Sequence, residues 1–498
     1  MGCKIFSASL VGLEALLVEV EADQGGGEFG KISIVGLPDN SVNEARERVR
    51  SAIKNIGYDF PRRKITINLA PAQIPKHGPH YDLPIALAIL SLKNQNTNNR
   101  QKIFVLGELS LSGKTKKIKS IIPLIILAIQ QGFTEVFIPS DNLSEVLIFK
   151  GLQIFPIASL HQLAGFIFKK LTLQFLVAPG PPEKNKSLPQ NPWFKITGQN
   201  QAKRAAEISL AGGHHLLFVG PPGSGKTMIA KAMSKSLPKN TLLKSLELAE
   251  IKSLSGLNIE NNQTFFQGMF RVVYPSTTAM AILGGGRKMR PGEISLSHYG
   301  ILFLDEFTQF PKDIVNSLRQ PMEEERVTIS HAETSCVFPC SFILVAACNP
   351  CPCGFFGDKE LACHCHPHQL KNYHQKIPGP IIDRFDLQIK VRRADDRKTK
   401  NYSPSLEKIA RARLIQEERG FLNGRCPEEK IELIFQLGEK EGEFFQQASR
   451  SLNCSERAKT KVIKIARTIA DLDQKKEIEI SHLAEAFSLR SDDTICYN

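Results

Sequence analysis

An α/β core with a parallel sheet, an α+β domain ahead of it and a helical domain behind is the fold class that this sequence of 498 residues predicts. Three observations predict it. The apolar run His215-Leu216-Leu217-Phe218-Val219 passes through a glycine-rich turn into Met228-Ile229-Ala230-Lys231-Ala232, which reads as strand, loop and helix. Two further apolar runs, Ile301–Leu304 and Phe342–Ala347, end in polar residues, as strands buried on both faces of a parallel sheet do. A proline-rich break precedes this core, and helical periodicity follows it.

Residues 1–175 alternate short apolar runs with polar breaks and form the α+β domain. Val42 to Ile56, with Arg46, Arg48 and Arg50 among its polar positions, has the spacing of an amphipathic helix. Ile65-Thr66-Ile67-Asn68-Leu69 alternates as a half-buried strand, and Ile103–Leu111 and Glu135–Ile138 read as further strands. Residues 176–193 hold Pro179-Gly180-Pro181-Pro182, then Pro189 and Pro192, and read as a stiff linker with little to offer a core.

The core spans 194–395. Its loop Gly220-Pro221-Pro222-Gly223-Ser224-Gly225-Lys226-Thr227 matches G-x-x-x-x-G-K-[ST], whose amides converge on phosphate oxygens at the positive end of a helix. Lys226 can reach the β- and γ-phosphates, and Thr227 can ligate magnesium. The run Ile301–Leu304 ends in Asp305-Glu306, so Asp305 can complete the magnesium shell and Glu306 can polarise the attacking water. The third run ends at Cys348-Asn349-Pro350, which brings Asn349 toward the γ-phosphate. ATP hydrolysis with Mg2+ is therefore the chemistry these residue types supply. Between these motifs lie the basic loop Gly284–Pro291, with Arg287, Lys288 and Arg290, and a hairpin built from Val327–His331 and Val337–Pro339.

Cys351, Cys353, Cys363 and Cys365 crowd together beyond Asn349, with Cys348, His364, His366 and His368 nearby. Thiols at this density read either as a structural zinc site, with Cys348 or a histidine as substitute ligand, or as reduced, unligated side chains. Residues 396–498 are helical. Ala458–Leu472 sets Val462, Ile465, Ala466, Ile469 and Leu472 on one face, which predicts a lid packed on the nucleotide side of the core.

Composition narrows the class. An apolar fraction of 42% and a charged fraction of 23% fit a globular chain, and the run Ile121–Ile129, broken by Pro123, is too short for a bilayer. Eleven cysteines concentrated in the core argue against a secreted disulfide scaffold and for the cytoplasm. The net charge of +14 points to an anionic partner. It comes from 20 basic against 14 acidic residues over 1–175, 25 against 18 over 176–395, and 19 against 18 over 396–498.

The order of the glycine-rich loop, the acid-ended strand and the Asn-ended strand resembles that of AAA+ ATPases. Pro291-Gly292-Glu293-Ile294-Ser295-Leu296, Arg319-Gln320-Pro321-Met322-Glu323 and Asn349-Pro350-Cys351-Pro352-Cys353-Gly354 narrow the resemblance to the magnesium-chelatase-like bacterial ATPases of the YifB/ComM group, over nearly the whole chain. That resemblance implies a ring, a hexamer, with ATP between neighbouring subunits, and a DNA motor of the competence branch that drives branch migration in recombination or DNA uptake. Gly379-Pro380-Ile381-Ile382-Asp383-Arg384-Phe385-Asp386 resembles the segment that offers an arginine, here Arg384, to a neighbour's ATP. Ser455-Glu456-Arg457-Ala458 resembles a second sensor, with Arg457 touching nucleotide of its own chain; which arginine acts in trans stays open. In related ring motors insertions at this position face the pore, so Arg287, Lys288 and Arg290 read either as DNA contacts or as a solvated loop whose charge serves solubility. The chain departs from the family at Tyr274-Pro275, where a His-His pair is more usual.

The front domain resembles the Lon protease domain through Lys76-His77-Gly78-Pro79, Gly107–Gly113 and Phe137–Asn142. The serine position of that family reads His80 and the lysine position falls near Ile122, so nucleophile and base are both missing and the domain is expected to be non-proteolytic. The alternative functions are a chelatase-type motor and a protein-remodelling ATPase, the latter with Phe270 as a pore aromatic or else a buried core residue.

Overall fold

The computed structural model describes residues 4–26, 30–93, 102–168, 171–180, 191–257, 265–286, 289–331, 334–358, 361–392 and 402–490. Arg287 and Lys288 lie outside them.

The front of the chain folds around an eight-stranded mixed sheet. Its order is Leu176–Val177, Gln153–Ile157, Glu135–Pro139, Lys102–Val105, Lys4–Val11, Glu14–Gly25, Lys64–Ala70 and Ile32–Val35. The expected helix runs from Asn40 to Asn55 and starts where the Asp39 carboxylate accepts from the Val42 amide at 2.8 Å. Its apolar stripe Val42, Ala45, Val49, Ala52 and Ile53 packs with Ile65, Ile67 and Leu69 of the alternating strand. The run 103–111 divides into Lys102–Val105 and Glu108–Leu109, because the amides of Leu106 and Gly107 turn to the carbonyls of Phe137 and His80. At the protease-like positions, His80 is buried with Nε2 2.8 Å from the Ala8 carbonyl, and Ile122 is buried in the helix Ile121–Gln130. Burial pushes the His80 pKa down to about 4.

The core is a five-stranded, all-parallel sheet. We label its strands in chain order β1 (Leu216–Val219), β2 (Phe270–Val273), β3 (Ile301–Leu304), β4 (Ile343–Cys348) and β5 (Leu387–Lys390). The spatial order is β2-β3-β4-β1-β5. Leu216 and Phe218 face one apolar cluster, Leu217 and Val219 another, which is why β1 is a continuous apolar run. Phe270 stacks on Phe303 at 6.0 Å between ring centroids and belongs to the core. The hairpin forms from Arg326–His331 and Thr334–Pro339.

The C-terminal helices Leu406–Glu418 and Glu456–Leu472 pack on the core helix Asn200–Gly212. Val462, Ile465, Ala466, Ile469 and Leu472 are all buried there. Trp193, read from sequence as the end of a linker with little to offer a core, is 1% exposed inside this cluster, and its indole N–H donates to Ser236 Oγ at 2.8 Å. The front domain shares a cluster with the core: Ala249, Phe265 and Phe266 join Ile121, Leu124 and Ile125. No helix among the described residues is long and apolar enough to cross a membrane.

Candidate nucleotide site and the arginine cavity

The register of the sheet brings the three motifs to one edge. Val219 pairs with Cys348 and Leu304 with Ala346, so Gly220, Asp305 and Asn349 all follow adjacent strand ends. Gly220 can only be glycine, since a Cβ there would lie 2.1 Å from the Val391 carbonyl oxygen. Gly223 and Gly225 take φ of +76° and +91°, the left-handed region that a loop needs to turn successive amides inward. The helix Lys226–Lys235 begins directly after the loop.

Lys226 is buried, and its ammonium donates to the Gly220 carbonyl at 2.6 Å, the Pro221 carbonyl at 2.9 Å and Asn349 Oδ1 at 3.3 Å. Burial lowers its pKa, with the Cys348 thiol and Asp305 acting in the opposite sense. Thr227 Oγ1 donates to Asp305 Oδ2 at 3.0 Å, which brings together the hydroxyl and carboxylate expected to share a magnesium shell. Glu306 is exposed at the mouth with φ of +53°, and its amide donates to Asp305 Oδ1 at 3.0 Å. A non-glycine residue in that region is uncommon and costs backbone strain. Asn349 is fixed from behind: Tyr373 Oη donates to its carbonyl at 3.2 Å and accepts from Thr308 Oγ1 at 2.7 Å.

Arg384 and Arg457 lie elsewhere. Both line a cavity of about 590 Å³ together with His215, Glu323, Asp386, Arg425 and Lys461. His215 precedes β1 and Asp386 precedes β5, so this cavity opens at the amino end of the sheet. The loop sits at the other end, four residues or roughly 13 Å away along the strand. Arg384 is held by Glu323 at 2.5 Å and by the Pro380 carbonyl at 2.6 Å. Arg457 is exposed in the first turn of Glu456–Leu472, so that helix opens on the amino edge rather than on the expected nucleotide side. Beneath the cavity Asp386 is buried, 3.0 Å from Lys461 Nζ and 3.2 Å from His214 Nδ1. Burial alone would raise its pKa, yet Lys461 and His214 hold the carboxyl well below its ordinary value.

The cysteines meet as a group of four. The sulfurs of Cys351, Cys353, Cys363 and Cys365 all lie within 4.8 Å of one another, while Cys348, at the end of β4, belongs to the core cluster instead. Arg290 is exposed in a short two-stranded ribbon of Gly284–Gly285 with Arg290–Pro291.

Three matches to known families tile the chain. The family described as magnesium chelatase, subunit ChlI, matches residues 193–399; subunit ChlI of Mg-chelatase matches 18–142; and the ChlI C-terminal family matches 403–490. Competence protein ComM of Haemophilus influenzae is 36% identical over 500 residues, covering 98% of this chain and 97% of that protein. The chain belongs to the ComM/YifB family of magnesium-chelatase-like AAA+ ATPases. YifB of Escherichia coli, an uncharacterised member, is 36% identical over 501 residues and covers 99% of this chain and 97% of its own length. Lon protease of Leptospira interrogans is 28% identical over 209 residues, 40% of this chain and 24% of the protease.

Membership makes this ComM/YifB-family chain an ATPase that uses ATP and Mg2+. The residues present fit both. Ser224 Oγ is buried in the loop with no hydrogen-bond partner among the described residues, as a group awaiting a phosphate would be, and the Thr227–Asp305 pair offers two hard oxygen ligands. Magnesium, when bound, neutralises charge on the β- and γ-phosphates. At the same edge stand the glycine-rich loop, the Lys226 ammonium and the Glu306 carboxylate.

Proposed function

We propose that this protein is an ATP-driven ring motor that moves along DNA, with branch migration in recombination or DNA uptake as its work. The observation that carries the ring is the separation of Arg384 and Arg457 from the loop of their own chain by the length of the sheet. Arginines at the amino edge serve hydrolysis by reaching the nucleotide of a neighbouring subunit, and a closed ring, here a hexamer, gives every subunit such a neighbour. In this reading Lys226 binds the phosphates, Thr227 and Asp305 hold magnesium, Glu306 polarises water, Asn349 contacts the γ-phosphate, and both Arg384 and Arg457 act in trans. The parts are the front domain 1–175, linker 176–193, motor 194–395 and lid 396–498. The cysteine cluster takes a structural zinc, and the protein works in the cytoplasm without a membrane.

DNA as the track is supported by full-length similarity to a competence protein and by the charge of +14, with Arg290 exposed on its ribbon. Steady-state ATPase measured without polymer and with single-stranded, duplex and branched DNA at two salt concentrations tests it. Stimulation that weakens with salt and is strongest on the junction is expected; charge reversal of Arg287, Lys288 and Arg290 together should flatten the salt slope by about three phosphate contacts. The family descriptions that name magnesium chelatase favour a second reading, a motor that remodels a protein partner. ATPase indifferent to every DNA would select it.

A further inference from the structure

We propose that Cys351, Cys353, Cys363 and Cys365 form a tetrathiolate zinc centre that clamps the Asn349 turn onto the glycine-rich loop, so that metal occupancy sets the rate of ATP turnover. The inference rests on the reading of Asn349 as a γ-phosphate contact.

The cluster has the dimensions of a metal cage. Sulfur separations are 3.3 Å for Cys351–Cys353, 3.5 Å for Cys353–Cys363 and 3.8 Å for Cys351–Cys363. A tetrahedron with Zn–S of about 2.3 Å has edges of about 3.8 Å, so one ion fits with little movement of the side chains. All four cysteines are free, and these separations are far from the roughly 2.0 Å of a disulfide. Backbone amides already point at three of the sulfurs. Phe356 N–H donates to Cys351 Sγ at 3.3 Å, Cys353 N–H to Cys365 Sγ at 3.4 Å, and Cys365 N–H to Cys363 Sγ at 3.5 Å. Such donors stabilise thiolates and orient them toward a shared ion. A four-sulfur tetrahedral set with no open position suits a structural site, for which zinc is the common occupant.

The position of the cage gives it leverage on catalysis. Cys351 is two residues beyond Asn349, and Gly354, which closes the first knuckle, packs on the loop itself: a Cβ at Gly354 would lie 2.7 Å from Pro222 Cδ. The second knuckle, Cys363 and Cys365, leads directly into the helix Pro367–His374. That helix returns Tyr373 to the Asn349 carbonyl at 3.2 Å and His374 Nε2 to within 2.9 Å of the Pro350 carbonyl. The metal would therefore join the strand end that carries Asn349, the segment lying on Pro222 and the helix that buttresses both. Without it, the two knuckles are joined by thiol–thiol contacts and the Cys353 amide on Cys365 Sγ, all of them weak hydrogen bonds.

The full-length protein, prepared untagged without chelator, tests this by elemental analysis and kinetics. About one zinc per chain is expected. Removing the metal with a thiol-reactive mercurial and a zinc indicator, then regenerating the thiols, should lower ATP turnover about 10- to 100-fold while binding of a fluorescent ATP analogue changes little. Added zinc should restore the rate, and cobalt should restore it with the visible absorption of a tetrahedral thiolate site. Cys363→Ser/Cys365→Ser should reproduce the metal-free rate. If that variant does not fold, strip-and-restore on the wild type gives the answer alone. Zinc far below stoichiometry with no cobalt-thiolate absorption overturns the site, as does iron in its place. Stoichiometric zinc whose removal leaves turnover unchanged overturns the clamp. Asn349→Ala separates the two readings: if it hydrolyses ATP normally while zinc removal still slows turnover, the role given to Asn349 fails and the metal dependence stands.

Discussion

At the carboxyl end of the five-stranded sheet, a glycine-rich loop, an acidic pair and an asparagine converge around a lysine that is itself pinned by three oxygens. At the amino end of the same strands, three arginines, Arg384, Arg425 and Arg457, line a cavity above a buried carboxylate paired with Lys461. The first end, in the proposed ring, is half of a nucleotide site. The second has no loop to bind phosphate but offers guanidinium groups that a phosphate would attract. In the proposed ring a subunit with these two ends is completed by its neighbour, because the strand length keeps its own arginines from its own loop.

The sharpest way to break this comparison is to mix defective subunits. Arg384→Ala removes the arginine from the amino end and should lower turnover by ~10³–10⁵, with nucleotide binding kept. Lys226→Ala disables the carboxyl end and leaves Arg384 in place. Neither variant should turn over alone, yet mixed rings should regain a measurable fraction of wild-type ATPase, since a Lys226→Ala subunit can lend its arginine to an intact loop next door. Mixtures no more active than their parts would place both ends in one subunit's chemistry. Arg457→Ala in the same experiment tells whether the second arginine also crosses the interface.

The next effect in size belongs to the carboxyl end alone. Glu306→Gln keeps the side-chain volume and removes the base, so turnover should fall by ~10²–10⁴ while ATP binding persists, read by single-turnover hydrolysis alongside analogue binding. Unchanged turnover would take the water-polarising role from Glu306 and leave Asp305 as the remaining carboxylate at that strand end.

What the sequence disclosed follows the same division. The carboxyl end was legible because its parts are local: each motif sits within a few residues of an apolar run, and register in a parallel sheet carries the runs to a common edge. The side on which Arg457 falls was not legible, since helix periodicity gives the buried face of Glu456–Leu472 but not the edge of the sheet where its first turn lands. Trp193 was missed because a single aromatic among prolines has no periodicity to report, and its partner Ser236 is forty-three residues on. The shared cluster of Ile121, Leu124 and Ile125 with Phe265 and Phe266 joins segments that each read as belonging to separate domains. The thiol cluster was legible by density, but the exclusion of Cys348 needed the strand, which turns that side chain into the core.

The smallest of these effects concerns stability, and it should appear only at the amino end. Asp386→Asn leaves the partly buried Lys461 without its counter-charge, a loss of at most about 3–5 kcal/mol, the cost of a broken buried pair. The pH dependence then separates two groups. The Asp386 carboxyl is depressed in the folded chain, so its contribution is present above the unfolded value of about 3.9 and is lost as pH falls through the lower folded value. His215 is held neutral by burial and by Arg425, well below its ordinary pKa, so its contribution is full above about 6.5 and declines as pH falls from there. Denaturant unfolding of the wild type should thus weaken in two steps on acidification. Asp386→Asn should shrink the step below about pH 4, to which the depressed carboxyls of Glu247 and Glu479 also contribute, and keep the onset near 6.5. A variant whose acid step was undiminished would mean that Asp386 is not the group whose ionisation holds the lid to the amino edge of the sheet.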